Sequence, residues 1–337
     1  MQLTRPVPFF LFGGGARRAE GVKPHSPSPT LSLQTLATIA DAAVAIAVSG
    51  GPDSMALLHL AAHAFPGRAH ALTVDHRLRP ESAAEAAMVA AACARLAVPH
   101  TTLAWRGRKP RTGRPAAART ARYRLMRRWC TAHAIPFLMT AHHADDQAET
   151  LLMRLARASG PRGLGGIRAA RPLGSGVTLL RPLLHARKAD LIAYCAAHAL
   201  PTASDPTNAD PAYARTAARA LLAATAWLDV EALAASAAHL ADAHDTLGWA
   251  SERAWAGRAI VAADRTEVDA DDLPRALRLA LLARGIASVV PHRAIPRGPD
   301  LARLLGLLDD GHPATLGGAH VHPGPPWRFA AEGPRGG

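Results

Sequence analysis

Short apolar runs alternate with longer segments of helical spacing between residues 44 and 155. The β-branched run at 44–48 predicts a buried strand, and apolar residues at helical spacing after it predict a helix over 54–63. This pairing recurs three more times, with strands predicted at 70–75, 100–105 and 135–140 and helices at 82–96, 116–133 and 144–156. Repeated βα units predict an α/β fold: a doubly wound parallel sheet that binds ligands at the carboxyl ends of its strands.

The pattern changes along the chain and divides it into four parts. Residues 1–35, whose first thirty are rich in Gly, Pro and Arg, are expected to be a disordered extension, and residues 36–225 form the α/β domain. Ala/Leu-rich helical spacing predicts a smaller helical C-terminal domain at 226–320, and 321–337 is expected to be a loose tail. No apolar run approaches the length that spans a bilayer, so we expect no membrane association.

Charge and cysteine content narrow the range of partners. The formal net charge of +13 favours a polyanionic partner such as nucleic acid. The competing interpretation is a compositional bias, because all but 3 of the 39 basic residues are arginine in an Ala-rich chain. Cys93, Cys130 and Cys195 are widely spaced, which indicates a reducing, cytoplasmic compartment and neither a disulfide framework nor a zinc site.

The first predicted strand runs into a segment with two glycines, two hydroxyls and one carboxylate: Ser49, Gly50, Gly51, Pro52, Asp53 and Ser54. A tight turn at the N-terminus of a helix directs backbone N–H groups outward and so forms a phosphate cradle. The hydroxyls and the carboxylate would contact phosphate or Mg²⁺. The spacing is that of neither a Walker A loop nor a dinucleotide fingerprint, and an ordinary glycine turn is the alternative.

Two further polar groups follow predicted strands. Asp75 and His76 follow the second strand, where they would bind adenosine or position a substrate, or else cap the next helix. His142, Asp146 and Glu149 follow the fourth strand at spacing i, i+4, i+7, which places them on one helix face if the helix begins early enough. Carboxylates there would hold Mg²⁺ or an ammonium group, and the histidine would serve acid–base or nucleophilic chemistry. The alternatives are a zinc site or a polar helix start capped by an aspartate.

Taken together, these segments resemble the PP-loop ATP pyrophosphatases, which have an adenine nucleotide α-hydrolase-like fold, and among them the tRNA(Ile)-lysidine synthases. The matching motifs run in order over about residues 44–219. They are Ser49-Gly50-Gly51-x-Asp53-Ser54, Asp75-His76, Ala118-Arg119-x-x-Arg122-Tyr123, His142-His143-x-x-Asp146-x-x-Glu149-Thr150, Leu180-Arg181-Pro182, Asp205-Pro206-Thr207-Asn208, and Tyr213 with Arg215. One position departs from the family pattern, because Thr216 stands where an asparagine usually follows Arg215.

The resemblance implies an ATP-dependent ligase that joins free L-lysine to C2 of the wobble cytidine of a CAU-anticodon tRNA(Ile). In that scheme Asp53 holds Mg²⁺, while Arg122 and His142 steady the α-phosphate and the activated base. Asp146 and Glu149 would bind the lysine ammonium groups. Arg215 would stabilise phosphate charge or hold the RNA backbone. No stable protein partner is implied, and a homodimer is left open.

Basic residues near these motifs are further candidates for contacts to tRNA phosphates: Arg124, Arg127, Arg128, Arg162 and Arg168. Two rival functions remain. A PP-loop enzyme that thiolates tRNA would carry paired cysteines, which this chain lacks. A nucleotide-regulated RNA-binding protein without turnover would not need a cluster of Asp53, His142, Asp146 and Glu149.

Overall fold

The computed structural model describes residues 29–76, 82–107, 109–110, 112–203 and 214–333. Residues 1–28 of the expected extension, 334–337 of the expected tail, and the motif from Asp205 to Tyr213 lie outside the described residues. The expectations for those segments therefore stay predictions. Over the described part of the chain, no helix is long and apolar enough to cross a bilayer.

The first unit contains eight helices and six strands within the described residues. In chain order they are α1 (Leu33–Ile39), β1 (Val44–Ala47), α2 (Pro52–Ala64), β2 (Ala69–Asp75), α3 (Ser82–Arg95), β3 (His100–Ala104), α4 (Arg114–Ala132), β4 (Phe137–Met139), α5 (Ala144–Leu155), α6 (Pro161–Leu164), β5 (Ala170–Gly174), β6 (Val177–Leu180), α7 (Lys188–Ala197) and α8 (Ala214–Ala224). The α1 helix begins inside the range assigned to the extension, and Leu31 is buried in the core. The ordered domain therefore starts earlier than residue 36.

The strands form one sheet in the order β3-β2-β1-β4-β6-β5. All neighbouring pairs are parallel except β5, which pairs antiparallel with β6. The doubly wound parallel sheet predicted from the sequence is thus confirmed. The chain first builds outward from β1 through β2 to β3 and then crosses to β4 on the other side. The reversal between β1 and β4 creates a crevice at their carboxyl ends, where such sheets bind ligands.

Burial explains why β1 lies at the centre of this sheet. Val44, Ala45 and Ile46 are fully buried, as expected for a parallel strand covered on both faces. The α2 helix buries Met55, Leu57 and Leu58 against one face. On the other face, Met126 of α4 packs into a second cluster with residues of β1, β2, β4 and β6. The phosphate-loop candidate therefore rests on a rigid base.

The second unit contains helices and also a sheet that the sequence did not predict. Its helices are α9 (Val230–Arg258), α10 (Arg275–Val289) and α11 (Gly298–Asp309). Its strands are β7 (Ala259–Val261), β8 (Arg265–Val268), β9 (Ala314–Leu316), β10 (Ala319–His322) and β11 (Trp327–Ala331), which pair antiparallel in the order β7-β8-β11-β10-β9. Helices are thus present as expected, but the description of this domain as helical is incomplete. The strands are three to five residues long, too short for the alternation of apolar and polar residues to stand out.

The prediction of a loose tail at 321–337 is wrong for the described part of that segment. Strands β10 and β11 occupy much of it, and Val321, Trp327 and Phe329 are buried. The Phe329 ring lies so close to Gly285 that a Cβ built there would be 2.5 Å from its Cζ. The Pro-rich turn before β11 reads locally as loop, whereas burial of these side chains makes the segment part of the core.

The long helix α9 connects the two units. It packs against α5 and α6 of the first unit and against α10 of the second. Val230, at its start, forms a small apolar cluster with Ala144 and Ala148 of α5. The face of α5 that turns away from this cluster is thereby held toward the crevice.

Candidate active site

The segment from Ser49 to Ser54 forms a tight turn between β1 and α2. Gly50 has a φ of +90°, a conformation that L side chains rarely adopt, and its carbonyl accepts a hydrogen bond from the Ala203 N–H at 2.8 Å. The α2 helix starts at Pro52, after Gly51, which has no side chain to cap the first turn. The unbonded N–H groups of a helix N-terminus and the positive end of its dipole favour an anion here.

Hydroxyl groups hold this turn in place. The Ser54 hydroxyl donates to the Gly51 carbonyl at 2.9 Å and accepts from the Ser49 N–H at 3.1 Å. The two serine hydroxyls lie 3.2 Å apart. These bonds preorganise the turn, which is the arrangement that a phosphate cradle requires.

Asp53, in the first turn of α2, connects the loop to the neighbouring strand. Its Oδ2 lies 3.6 Å from Nε2 of His143, which follows β4. Its Oδ1 is buried and has no hydrogen-bond partner among the described residues. A buried carboxylate oxygen without a partner is costly, so this atom is well suited to a cation.

His143 lies among three carboxylates. Besides Asp53, its ring nitrogens are 3.6 Å from a carboxylate oxygen of Asp145 and 3.6 Å from one of Asp146. Burial by itself would lower the pKa of His143, but these carboxylates outweigh it and raise the pKa to about 10. The ring is therefore a cation at neutral pH, and its charge offsets the repulsion among the three aspartates.

This protonation state also decides how α5 is capped. The Asp146 N–H lies 3.4 Å from Nδ1 of His143, but a protonated Nδ1 cannot accept that bond. The reciprocal contact, in which the His143 N–H donates to Asp146 Oδ2 at 3.2 Å, remains. We therefore treat the Asp146 carboxylate as the effective cap. Asp145 is fixed separately, since it accepts from the Lys188 N–H at 2.8 Å, and this bond together with His143 and Arg187 lowers its pKa despite burial.

His142 does not occupy the position that its spacing suggested. The α5 helix begins at Ala144, so His142 precedes it and does not share a helical face with Asp146 and Glu149. The condition for the i, i+4, i+7 prediction is thus not met, and only the two acidic residues are on α5. His142 still faces the site, because its Nδ1 is 3.0 Å from the Thr140 hydroxyl and it interacts electrostatically with Asp146.

The surroundings of His142 keep its ring neutral. Burial lowers its pKa far below the usual range, and the cations Arg181, Arg119 and Arg122 act in the same direction against the opposing effect of Asp146. Two adjacent histidines therefore differ in charge at neutral pH. His143 is a structural cation, whereas His142 is a neutral ring that can donate one hydrogen bond and accept another.

Glu149 is engaged by two arginines of α8. Its side chain is 2% exposed, and its Oε1 accepts from Arg219 Nε at 2.9 Å. Arg215 Nε lies 3.1 Å from Oε2 and forms an ion pair with it that is not a hydrogen bond. Arg215 also lies 3.9 Å from Asp146. Glu149 thus orients Arg215 toward the crevice, and the buried carboxylate and the arginines form one unit.

The residues after β2 complete the other side of the crevice. The Asp75 carboxylate accepts from the hydroxyl of Ser82, the first residue of α3, at 2.9 Å, so the helix-start contact considered for Asp75 is present. His76 packs edge-on against Trp105 with ring centroids 5.8 Å apart, and its Nδ1 is buried and unpartnered among the described residues. Burial and the nearby Arg122 and Lys109 lower the pKa of His76.

The predicted site residues therefore form one connected group at the β1–β4 crevice. Contacts run from Asp53 through His143 to Asp146, and from there through Arg215 to Glu149. Electrostatic interactions link Asp146 to His142, His142 to Arg122, and Arg122 to His76. Motif spacing did not indicate the parts that His143, Asp145 and Arg219 play. The signals were the doublets His142-His143 and Asp145-Asp146, whose members cannot be distinguished until the helix start is known.

Two of the surface arginines expected to contact RNA have protein partners. Arg168 forms an ion pair with Asp245 of α9 at 2.8 Å. Arg127 donates to the carbonyl oxygen of Leu173 at 3.2 Å. Both contacts fasten local structure, so these residues are weaker candidates than Arg124 and Arg128, which are exposed on α4.

A glycine-turned phosphate cradle at the switch point of a doubly wound sheet, with an acidic residue opening the helix, defines the class of PP-loop nucleotide-binding proteins. The model of the PP-loop domain family matches residues 28–225. In fold, the chain is similar to the U34-tRNA thiolase NcsA from Methanococcus maripaludis, with a TM-score of 0.52 and 16% identity over 62% of this chain and 74% of that one.

Curated relatives narrow the class. The chain is 46% identical to the tRNA(Ile)-lysidine synthase of Novosphingobium aromaticivorans, over 82% of this chain and 84% of that protein. It is 45% identical to the tRNA(Ile)-lysidine synthase of Methylobacterium nodulans, over 83% and 87%. The chain belongs to the tRNA(Ile)-lysidine synthase family of PP-loop proteins.

Proposed function

We propose that this protein is an ATP-dependent ligase that joins lysine to C2 of cytidine 34 in a CAU-anticodon tRNA(Ile) and forms lysidine. The observation that carries this proposal is that one histidine contacts acidic residues that follow two different strands of the sheet. His143 lies 3.6 Å both from Asp53, in the phosphate loop after β1, and from Asp146, on the helix after β4. A nucleotide phosphate and a substrate ammonium group bound at these residues would meet in the same crevice.

The reaction needs two steps because a C2 oxygen is a poor leaving group. First the C2 oxygen attacks the α-phosphate of ATP, the bond to the β-phosphate breaks, and pyrophosphate leaves. The lysine ε-amine then attacks C2, the C2–O bond breaks, AMP leaves, and the amine loses a proton. The loop from Ser49 to Ser54 would hold the departing pyrophosphate, since it ends at the N-terminus of α2, which no side chain caps and which favours developing negative charge.

Mg²⁺ fits the carboxylate in this loop. The buried, unpartnered Oδ1 of Asp53 is a hard oxygen donor, which Mg²⁺ prefers. Among the described residues no three side chains of His, Cys, Asp or Glu form a complete metal site. One carboxylate with substrate phosphates is a usual way to bind this ion. Bound there, Mg²⁺ would neutralise phosphate charge.

The two acidic residues of α5 take different parts in this proposal. Asp146 is 15% exposed and lies at the crevice, so it would bind the lysine ammonium group. Glu149 already faces two arginines, and its part would be to position Arg215. This revises the pairing of Asp146 with Glu149 on lysine that the family resemblance implied. His142 is neutral and, with its pKa held far below the usual range, a weak base, so its part would be to donate a hydrogen bond to the activated base.

Thiolation is less well supported than ligation. Burial raises the pKa of Cys93 to about 11, of Cys130 to about 12 and of Cys195 to about 11. Thiols in that range are not thiolates at neutral pH, and sulfur transfer requires the thiolate.

The test is lysine incorporation by purified protein with ATP, radiolabelled lysine and a CAU-anticodon tRNA(Ile) transcript. Incorporation into this transcript, its absence when cytidine 34 is replaced by uridine, and its loss in Asp146→Asn would support the proposal. The matched control is Glu231→Gln, an exposed carboxylate on α9, which should keep full activity. Release of AMP without lysine incorporation would refute ligation and leave an adenylating enzyme with another nucleophile.

A further inference from the structure

Four arginines surround one tyrosine beside the active site. This arginine cluster consists of Arg119, Arg122, Arg171, Arg181 and Tyr123. The guanidinium carbons of Arg119, Arg122 and Arg171 lie 5.2, 5.5 and 6.0 Å from the centroid of the Tyr123 ring. Arg181, which follows β6, interacts electrostatically with the same tyrosine and with two of these arginines.

The cluster leads from the surface to the interior. Arg119 and Arg171 are exposed, whereas Arg181 is only 5% exposed and one of its terminal nitrogens donates to the Arg168 carbonyl oxygen. Burial lowers the pKa of both Arg122 and Arg181. Nε of Arg122 and Nε of Arg181 are buried without a hydrogen-bond partner among the described residues, while the Tyr123 hydroxyl lies close enough to both guanidinium groups to favour their charged forms. Buried donors of positive charge in this state favour an anionic acceptor.

The protein segments that build the cluster supply no countercharge. The α4 helix and residues 168–181 together contain nine arginines and no aspartate or glutamate. Desolvated like charges repel each other, and an anion that binds among them relieves that repulsion. A phosphate ester is the anion whose geometry guanidinium groups match best.

We propose that the arginine cluster binds a phosphodiester of the RNA substrate next to the nucleotide that reacts, an inference that rests on the proposed function. Position in the sheet favours RNA over ATP as the source of the phosphate. Arg181 follows β6 and Arg171 lies on β5, two and three strands away from β1 and its phosphate loop. At about 4.8 Å per strand these are separations of roughly 10 and 14 Å, so the exposed end of the cluster lies beyond the loop that holds the nucleotide.

A second consideration is access to the reactive base. An enzyme that modifies a base takes that base out of its stack, and the flanking phosphates must follow it to the site. The buried end of the cluster adjoins His142, and its exposed end lies at the surface. A backbone phosphate bound there would hold the extruded cytidine toward the crevice.

The test uses an RNA hairpin that carries the CAU anticodon loop, with binding measured by fluorescence anisotropy over a range of KCl concentrations. The variants Arg119→Gln and Arg171→Gln change exposed side chains and should fold normally. Each is expected to weaken binding about tenfold, because a charge-assisted contact to phosphate is lost. Each should also lower the slope of log affinity against log salt by about 0.7, the value for one single-stranded phosphate contact.

Replacing one RNA phosphate with an uncharged analogue tests directly whether the cluster contacts that phosphate. A hairpin with a methylphosphonate beside cytidine 34 should bind the unmodified protein about tenfold more weakly, and Arg119→Gln or Arg171→Gln should add no further loss. The conservative variant Arg181→Lys, if it folds, should likewise show no further loss of affinity with the methylphosphonate. If it does not fold, Arg119→Gln and Arg171→Gln decide whether the cluster contacts this phosphate. Fully additive losses at both flanking phosphates would overturn the proposal.

Two controls separate this site from its alternatives. Arg95→Gln removes an exposed arginine at the end of α3, outside the arginine cluster, and the methylphosphonate should still weaken RNA binding by this variant about tenfold. If the methylphosphonate causes no further loss in Arg95→Gln either, the effect is general electrostatic attraction and the proposal is overturned. Weaker binding of Mg·ATP with unchanged RNA binding in Arg119→Gln or Arg171→Gln would also overturn it. RNA binding is measured without lysine, so a protein that shows the expected pattern but incorporates no lysine would refute the ligase function and leave the phosphate site standing.

Discussion

We expect this protein to lose stability as the pH rises from 6.5 to about 10, because over that range the folded state keeps the His143 proton that the unfolded chain has released. In the unfolded chain the ring has its ordinary pKa, whereas in the folded chain three carboxylates raise it. Below pH 6.5 both states carry the proton and the stabilisation is fully present. Between the two values the folded state binds more protons, so each rise in pH favours unfolding.

The magnitude follows from the difference between the two pKa values. A pKa that moves from 6.5 to about 10 corresponds to an upper limit of about 5 kcal/mol at 1.4 kcal/mol per unit. We expect about 2–3 kcal/mol, since Asp53 and Asp146 are 28% and 15% exposed and water screens part of the attraction.

The measurement is urea denaturation at pH 6 to 10, with EDTA present so that no divalent cation binds Asp53. The unmodified protein should lose about 2–3 kcal/mol over this range relative to His143→Gln, and the two should become equally stable near the upper end. The variant His63→Gln removes an exposed ring on α2 and should follow the unmodified protein. If the free energies of unfolding of the unmodified protein and His143→Gln differ by the same amount at every pH, His143 is not protonated in the folded state and this reasoning is refuted.

Three further predictions concern other parts of the structure. Removing Arg215 and Arg219 together as methionines should cost about 3–5 kcal/mol in urea denaturation, because Glu149 is left buried and unpaired. Glu149→Gln should cost less, since arginines 42% and 41% exposed can be hydrated, and the reverse order would contradict this reasoning. Gly50→Ala should weaken ATP binding measured by calorimetry and destabilise the fold by about 1–2 kcal/mol, because its φ is +90°; unchanged binding would count against the cradle. Phe329→Ala should cost about 3–5 kcal/mol and expose the C-terminal strands to proteolysis, and resistance to both effects would restore the loose-tail interpretation.

The α/β domain was accessible from the sequence because its elements are long or strongly patterned. The run at 44–48 and the helix after it became β1 and α2, and the four predicted strands became β1 to β4. The antiparallel edge strand β5 is exposed and contains a proline, so it carries no alternating pattern. The C-terminal sheet was not predicted for a related reason. Its strands are three to five residues long, and which of their side chains are buried becomes evident only when neighbouring strands cover them.

The different roles of adjacent residues could not be predicted from the sequence. His142 and His143 are chemically the same in the sequence, yet one is held neutral beside three arginines and the other is charged among three aspartates. Local spacing cannot supply these partners, because Asp53 comes from α2 and Arg181 from the end of β6.

The sequence by itself therefore determined which chemical groups are present and where a phosphate loop forms. Glycines at 50 and 51, an acid at 53 and an apolar strand before them suffice to form a phosphate loop, because the requirement is local backbone geometry. Only the tertiary structure decided what each titratable group does. A side chain's charge depends on the burial and the charges around it, and here those charges come from strands and helices far apart in the chain.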